Sequence, residues 1–368
     1  MMWLWLTLFF ILIAGTLGGL AYLTNRLGKC GVFGGLSKYK SFAARAALVI
    51  AVFALLSFTL NLMNAVICLL HLVVFWLACD AVFALVKRVS KRGFAPCCAG
   101  AAALVLTLAS LGYGWYADHH VRATFYTIET PKDVKDLRIV MFADSHIGTT
   151  FDGAGFARHV RKMREMNPDI VVIAGDFVDD GTMRAQMEIA SAVLKSFDVP
   201  VYFAFGNHDK GYHNPALRGF TGRDLTAELR KNGVIVLQDE SATIDGNYLI
   251  VGRNDASETM RGGNRKDMAA LMQNADKSKF SIIIDHQPND YDAQTAASVD
   301  LVLSGHTHGG QLFPLNKVGE YIGANDKTYG FERRGLTDFI VTSGISDWAV
   351  KFKTGCFSEF TVIDIKKK

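Results

Sequence analysis

The stretch RIVMFADSH, residues 138–146, decides how this chain is read. A short apolar run bounded by polar residues is the mark of a buried strand, and this one runs straight into a carboxylate and an imidazole, Asp144 and His146. The same arrangement returns downstream. Asp169–Ala174 runs into Gly175-Asp176, Val201–Ala204 leads to Gly206-Asn207-His208-Asp209, Ser281–Ile284 leads to Asp285-His286, and Asp300–Leu303 leads to Ser304-Gly305-His306-Thr307-His308. Helical stretches, Phe156–Met166 and Met187–Phe197, fall between the strands, which is the pattern of an α/β domain. Ala242–Val251, with Asp245-Gly246 at its middle, reads as a hairpin, and Ile340–Ile365 as closing strands; these parts are expected to build a second sheet.

Loops held at strand ends by a rigid sheet present catalytic groups, and glycine lets backbone approach a metal or phosphate closely. Gly175, Gly206 and Gly305 suit that need. Asp144 and His146 are two residues apart, as are His306 and His308, so a locally extended chain would put each pair on one side. A single histidine on an apolar strand is usually a core residue, but here five strand ends carry candidate ligands together. Carboxylate, imidazole and amide suit manganese, iron or zinc, whereas calcium favours oxygen alone and structural zinc favours thiolates. Only Cys356 of the six cysteines lies beyond residue 123, so neither a thiolate site nor an internal disulfide is available to the C-terminal part.

Upstream, the composition changes. Residues 1–123 hold ten Lys and Arg against two acids, and the remainder holds 29 against 33, so the net charge of +4 belongs to the first third. The slightly acidic remainder has no basic stripe, which excludes a nucleic-acid footprint. Repeats and low-complexity tracts are absent, which sets aside solenoids and disordered tails.

The first third is expected to cross a membrane four times, at about 3–23, 44–61, 65–86 and 97–116, since a span needs about 20 apolar residues. Arg26 follows the first apolar run instead of preceding it, unlike a cleaved signal peptide. Asn61, Met63 and Asn64 interrupt the long second run, dividing it into a helical hairpin. Trp115 and Tyr116 close the fourth span, where aromatic side chains favour the interface. Basic residues cluster in two connections, Arg26, Lys29, Lys38, Lys40 and Arg45 in one and Lys87, Arg88, Lys91 and Arg92 in the other. Both connections are then cytoplasmic, and the fourth span delivers the C-terminal domain to the extracytoplasmic side. His71 and Asp80 lie inside the third span on opposite faces, nine residues apart; Asp80 is two turns from Lys87 on the same face and near the cytoplasmic end, which points to a structural role. The expected organisation is a membrane domain over 1–123, a linker over 124–136 and a soluble domain over 137–368.

The order D-x-H, G-D, G-N-H-D, H and G-H-x-H resembles the calcineurin-like metallophosphoesterases, and all five blocks are present between Leu137 and about Asp364. The resemblance implies a two-sheet α/β sandwich of that type, preceded here by the bundle of four transmembrane helices. It implies that Asp144, His146, Asp176 and His308 bind one divalent ion, and that Asp176, Asn207, His286 and His306 bind another, with Asp176 as the bridge. His208 would contact the phosphate and protonate the leaving oxygen, oriented by Asp209. Asn207, His208 and Arg253 are the expected substrate contacts, with Tyr212 and His213 also candidates for the entrance. Gly309-Gly310-Gln311 and the N-terminal membrane segment resemble the bacterial membrane-associated branch, some of whose members cleave lipid-linked phosphodiesters or pyrophosphates.

The resulting expectation is an integral-membrane enzyme, with two divalent transition-metal ions (Mn, Fe or Zn), that hydrolyses a phosphodiester, phosphomonoester or pyrophosphate by attack of a metal-bound hydroxide. A lipid-linked substrate held near the bilayer is one form of it. The rival reading is a noncatalytic metal-containing sensor or scaffold that binds a phosphorylated ligand at the membrane.

Overall fold

The computed structural model describes residues 2–91, 93–95, 97–211 and 215–368, with side chains from Leu6 onward apart from Pro215. Arg92, Tyr212 and His213 lie outside the described residues. The chain forms two compact units, Met1–Gly114 and Trp115–Lys368.

The first unit contains helices α1 (Met2–Lys29), α2 (Lys38–Leu60), α3 (Leu62–Ser90) and most of α4 (Cys98–His119). All four are long and apolar enough to cross a membrane. The hairpin between α2 and α3 turns on one residue: Asn61 takes φ 88°, and its side chain accepts from the Asn64 N–H to start the next helix. Asp80 does not depend on Lys87 for a partner. Its carboxylate pairs with Arg26 of α1 and accepts from the Tyr22 hydroxyl at 3.1 Å, so this acid ties two helices together. His71 is satisfied locally, its Nδ1 lying 2.8 Å from the Ile67 carbonyl one turn back.

The second unit is a sandwich of two six-stranded sheets. Strands β1 (Arg122–Thr130), β2 (Leu137–Phe142), β3 (Ile170–Ala174), β4 (Val201–Ala204) and β5 (Val234–Leu237) join β12 (Glu359–Lys367) in one sheet, in the order β1-β12-β2-β3-β4-β5. Strands β6 (Glu240–Ile244), β7 (Tyr248–Gly252), β8 (Phe280–Ile284), β9 (Leu301–Ser304), β10 (Gly330–Arg334) and β11 (Thr337–Val341) form the other, in the order β10-β11-β9-β8-β7-β6. Ile139, Met141, Val172 and Ala204 meet Ile250, Ile282, Leu303 and Ile340 in a dry layer between the sheets. Helices α5 (Gly153–Arg164), α6 (Arg184–Leu194) and Gly222–Lys231 cover the outer face of the first sheet, and short helices Met268–Met272 and Tyr291–Ala296 cover the second. Strands β2, β3, β4, β8 and β9 are buried on both faces, which is why they read as continuous apolar runs.

Two expectations are corrected. Residues 124–136 are not a linker throughout, because β1 runs in register with β12 from Arg122↔Glu359 to Thr130↔Lys367. The closing segment does not serve one sheet only. Of its two strands, β11 joins the second sheet, whereas β12 is inserted between β1 and β2 of the first.

Candidate metal centre

The candidate ligands arrive from two sheets at one edge of the sandwich. β2, β3 and β4 are parallel neighbours, as are β8 and β9, so their C-terminal loops emerge side by side. Backbone bonds stitch those loops together: Asp144 N–H to Gly175 O at 3.1 Å, His146 N–H to Asp176 O at 3.1 Å, and Gly305 N–H to His286 O at 3.0 Å. A Cβ on Gly206 would strike the Asp176 carboxylate, and one on Gly305 would come within 2.6 Å of Asp144 Oδ2; glycine is the residue that fits at both places.

The local backbone differs from the extended pairs that the two-residue spacing suggested. Asp144 (φ 53°), His146 (37°), Asp176 (50°), His306 (73°) and His308 (48°) all occupy the left-handed region, a strain of about 1 kcal/mol or more apiece that packed surroundings must hold in place. As a result, His306 and His308 separate. Asp144, His146 and His308 form one cluster, and Asp176, His286 and His306 form another. Asn207 Oδ1 lies 2.8 Å from His306 Nδ1. Asp176 stands between the two groups, with Oδ2 3.1 Å from His286 Nε2 and 3.7 Å from His146 Nε2. All seven expected ligands are thus brought together.

The donor set fits cations on the evidence of its own lone pairs. His308 Nδ1 faces the Ser346 carbonyl at 3.1 Å, and His146 Nδ1 faces Asp179 Oδ1 at 3.2 Å, so both rings carry their proton on Nδ1. Their two Nε2 atoms then meet lone pair to lone pair at 3.2 Å. His286 repeats the pattern. Its Nδ1 is committed to Ala174 O at 2.7 Å, which leaves the buried Nε2 facing the Asp176 carboxylate, 3.1 Å from Oδ2. A positive ion at each cluster resolves both conflicts.

His208 sits beside this cluster, its ring 5.1 Å from that of His146 and 5.3 Å from that of Trp348. Its Nδ1 is 3.2 Å from carboxylate oxygens of both Asp179 and Asp180. Burial by itself depresses its pKa, but the neighbouring carboxylates of Asp179, Asp176 and Asp180 outweigh burial and lift it to about 9. Asp209 does not have the orienting role expected of it. Its carboxylate accepts backbone N–H groups from Gly206 at 2.7 Å, Asp176 at 2.9 Å and Val178 at 3.1 Å, clamping two ligand loops together.

Arg253 is also reassigned. It is 4% exposed, and its guanidinium is consumed by Asp285 at 3.1 Å, Asp290 at 2.6 Å and the Lys266 carbonyl at 3.1 Å, which leaves it buttressing the His286 loop and not facing a substrate. Sequence reading missed Asp179, Asp180 and Trp348. The signal for the first two was a pair of acids three and four residues beyond Asp176; for Trp348 it was the sole tryptophan after residue 123.

The calcineurin-like phosphoesterase family model matches residues 137–310. An uncharacterized metallophosphoesterase of Campylobacter jejuni is 30% identical over 245 residues, covering 66% of this chain and 62% of its own length. Another, from Aquifex aeolicus, is 32% identical over 208 residues, covering 55% of this chain and 75% of its own length. A transmembrane protein with metallophosphoesterase domain from Danio rerio is 28% identical over 248 residues, covering 64% of this chain and 55% of the relative. The chain therefore spans less than two thirds of the Campylobacter and Danio proteins.

Proposed function

The chain belongs to the calcineurin-like phosphoesterase family, and from that premise we propose that it is a membrane-anchored hydrolase cleaving a phosphate ester at a pair of divalent transition-metal ions. The observation that carries this reading is the meeting of the His146 and His308 Nε2 lone pairs at 3.2 Å inside a ring of carboxylates. Asp144, His146, Asp176 and His308 would hold one ion and Asp176, Asn207, His286 and His306 the other. Such a pair, when bound, supplies Lewis-acid polarisation of the phosphoryl group and an activated water.

The chain's own groups supply the rest. His208, whose Nδ1 lies 3.2 Å from carboxylate oxygens of Asp179 and Asp180, is the proton donor to the departing oxygen. The Asp176 carboxylate accepts the His208 backbone N–H at 2.8 Å, so the residue that would be shared by the two ions also fixes where the acid stands. Asn207, with Oδ1 2.8 Å from His306 Nδ1, would complete the second cluster. No part of this requires a covalent phosphoenzyme.

The four apolar helices support the first unit, Met1–Gly114, as the anchor and the second, Trp115–Lys368, as the hydrolase. Basic residues in the last turn of α1 and the first half of α2, and around the end of α3, favour the cytoplasmic side for both connections and the extracytoplasmic side for the hydrolase. An anchored active site suits a lipid-linked phosphate ester.

The test is hydrolysis of bis(p-nitrophenyl) phosphate by the full chain with added Mn²⁺, Fe²⁺ or Zn²⁺. Asp176→Ala and Asn207→Ala should abolish turnover while leaving the protein folded and inserted; full turnover in either defeats the two-ion assignment. Wild-type protein that binds the ions but hydrolyses nothing would be a phosphate-ligand sensor. Side-by-side assays of lipid phosphates and soluble nucleotides test the substrate class, and equal failure on both counts against the lipid preference.

A further inference from the structure

Lys353 has no solvent exposure, and a lysine survives such burial only when its ammonium is fully answered. Its Nζ donates to the carbonyls of Ser343 at 2.8 Å and Ser346 at 3.2 Å and to the Ser358 hydroxyl at 2.8 Å. The counter-charge is Asp118, equally buried, with Oδ1 3.6 Å away.

Two of those acceptors belong to a turn that walls the metal centre. The Ser346 carbonyl that receives the ammonium also receives His308 Nδ1–H at 3.1 Å. Next to Ser343, a Cβ on Gly344 would come within 2.6 Å of the Asp144 Cβ, so the turn lies in contact with a second ligand of the same cluster. The Ile345 N–H is bonded to Ala143 O at 3.1 Å, one residue before Asp144. The turn thus touches Asp144 and His308 on one side and is gripped by Lys353 on the other.

We propose that Lys353 is a positioning residue for the ion held by Asp144, His146 and His308: its ammonium fixes the Ser343–Ser346 turn so that the Ser346 carbonyl locks His308 with Nε2 toward the ion, and Asp118 holds the ammonium in place. The role rests on the two-ion reading above. Groups behind a metal's ligands change its affinity by roughly 10–100-fold when removed, because they set the ligand's tautomer and ring orientation. Asp118 lies in the last turn of α4, so the centre's geometry depends on residues at both ends of the second unit's sequence.

The experiment uses full-length protein in detergent micelles, stripped and titrated with Co²⁺ against a competing chelator, with the visible spectrum recorded at each occupancy. Lys353→Met should weaken one of the two ions by about 10–100-fold and alter only its bands, leaving the other as in wild type. Adding Asp118→Asn to that variant removes the unpaired charge and should not restore the weakened ion. Restoration by the double variant, or wild-type affinity for both ions in Lys353→Met, would overturn the positioning role. Should Lys353→Met fail to fold, Asp118→Asn and Ser358→Ala keep the lysine but loosen it, and each should weaken the same ion several-fold; unchanged affinity and spectrum in both would equally overturn it. Wild-type protein that binds no pair of ions sinks the functional reading along with this one, whereas intact wild-type binding with indifferent variants sinks this one alone.

Discussion

His146 and His308 point their Nε2 atoms at each other across 3.2 Å while both Nδ1 atoms face oxygen acceptors, Asp179 and the Ser346 carbonyl. Two lone pairs at that distance repel, and an ion between them turns the repulsion into coordination. Chelator-stripped protein should therefore melt at a lower temperature than reloaded protein. A ligand at 100 times its Kd stabilises a folded state by about 2.7 kcal/mol, a shift readily seen by calorimetry. His308→Ala should lower the ion count from two to one. A melting temperature indifferent to stripping and reloading would mean that this geometry is not a metal site.

His208 and Asp209 are adjacent in sequence but should fail in different ways. His208→Ala removes the proton donor and should reduce kcat by on the order of 100-fold or more, with ion content and stability little changed. Asp209→Ala leaves the Gly206, Asp176 and Val178 N–H groups without their acceptor, at a cost of about 1–3 kcal/mol for each buried donor. Chemical denaturation separates the two outcomes. An Asp209→Ala protein as stable as wild type would refute the clamp.

The strand-end ligands could be found in the sequence because each of β2, β3, β4, β8 and β9 is buried on both faces and passes directly into a residue of metal-binding chemistry. The supporting groups could not be found in the same way. Asp179 reaches His146 and His208 only because the backbone at Asp176 turns through the left-handed region, and no local pattern specifies that turn. β1 was hidden as an edge strand with a largely exposed pattern whose sheet partner, β12, lies more than 200 residues away. Arg253 looked free because its partners Asp285 and Asp290 are separated from it by two short helices, Ser257–Met260 and Met268–Met272, and strand β8. Lys353 gave no signal, since a lysine alternating with apolar residues, as in Val350-Lys351-Phe352-Lys353, is ordinarily solvated.

Arg253 should matter for stability and not for substrate affinity. Asp285 has no solvent exposure and relies on Arg253 at 3.1 Å and Arg265 at 2.8 Å. Removing one partner of a buried pair costs about 3–5 kcal/mol when nothing compensates, and Arg265 with Gln294, which donates to Asp285 at 2.8 Å, should keep Arg253→Met at the lower end. The KM for a small phosphodiester should be unchanged. A variant of wild-type stability with a raised KM would return Arg253 to the substrate.

Acid sensitivity should trace in part to His159 on α5. Its ring lies 4.9 Å from that of Phe151 and its Nδ1 is buried without a hydrogen-bond partner. Burial, reinforced by Lys162 and Arg158, lowers its pKa from 6.5 to about 4. A folded-state pKa below the unfolded one means that the unfolded chain takes up the proton first as pH falls. Stability is therefore intact above about 6.5, declines between 6.5 and 4 as the unfolded state is favoured, and levels off below about 4 as far as this group is concerned. The full loss is about 3 kcal/mol, at 1.36 kcal/mol per pKa unit. His159→Phe keeps the ring contact and removes the titration, so the stability difference between variant and wild type should grow in the variant's favour from pH 7 to pH 4.5. Parallel curves across that interval would show that His159 is protonated as easily in the fold as outside it.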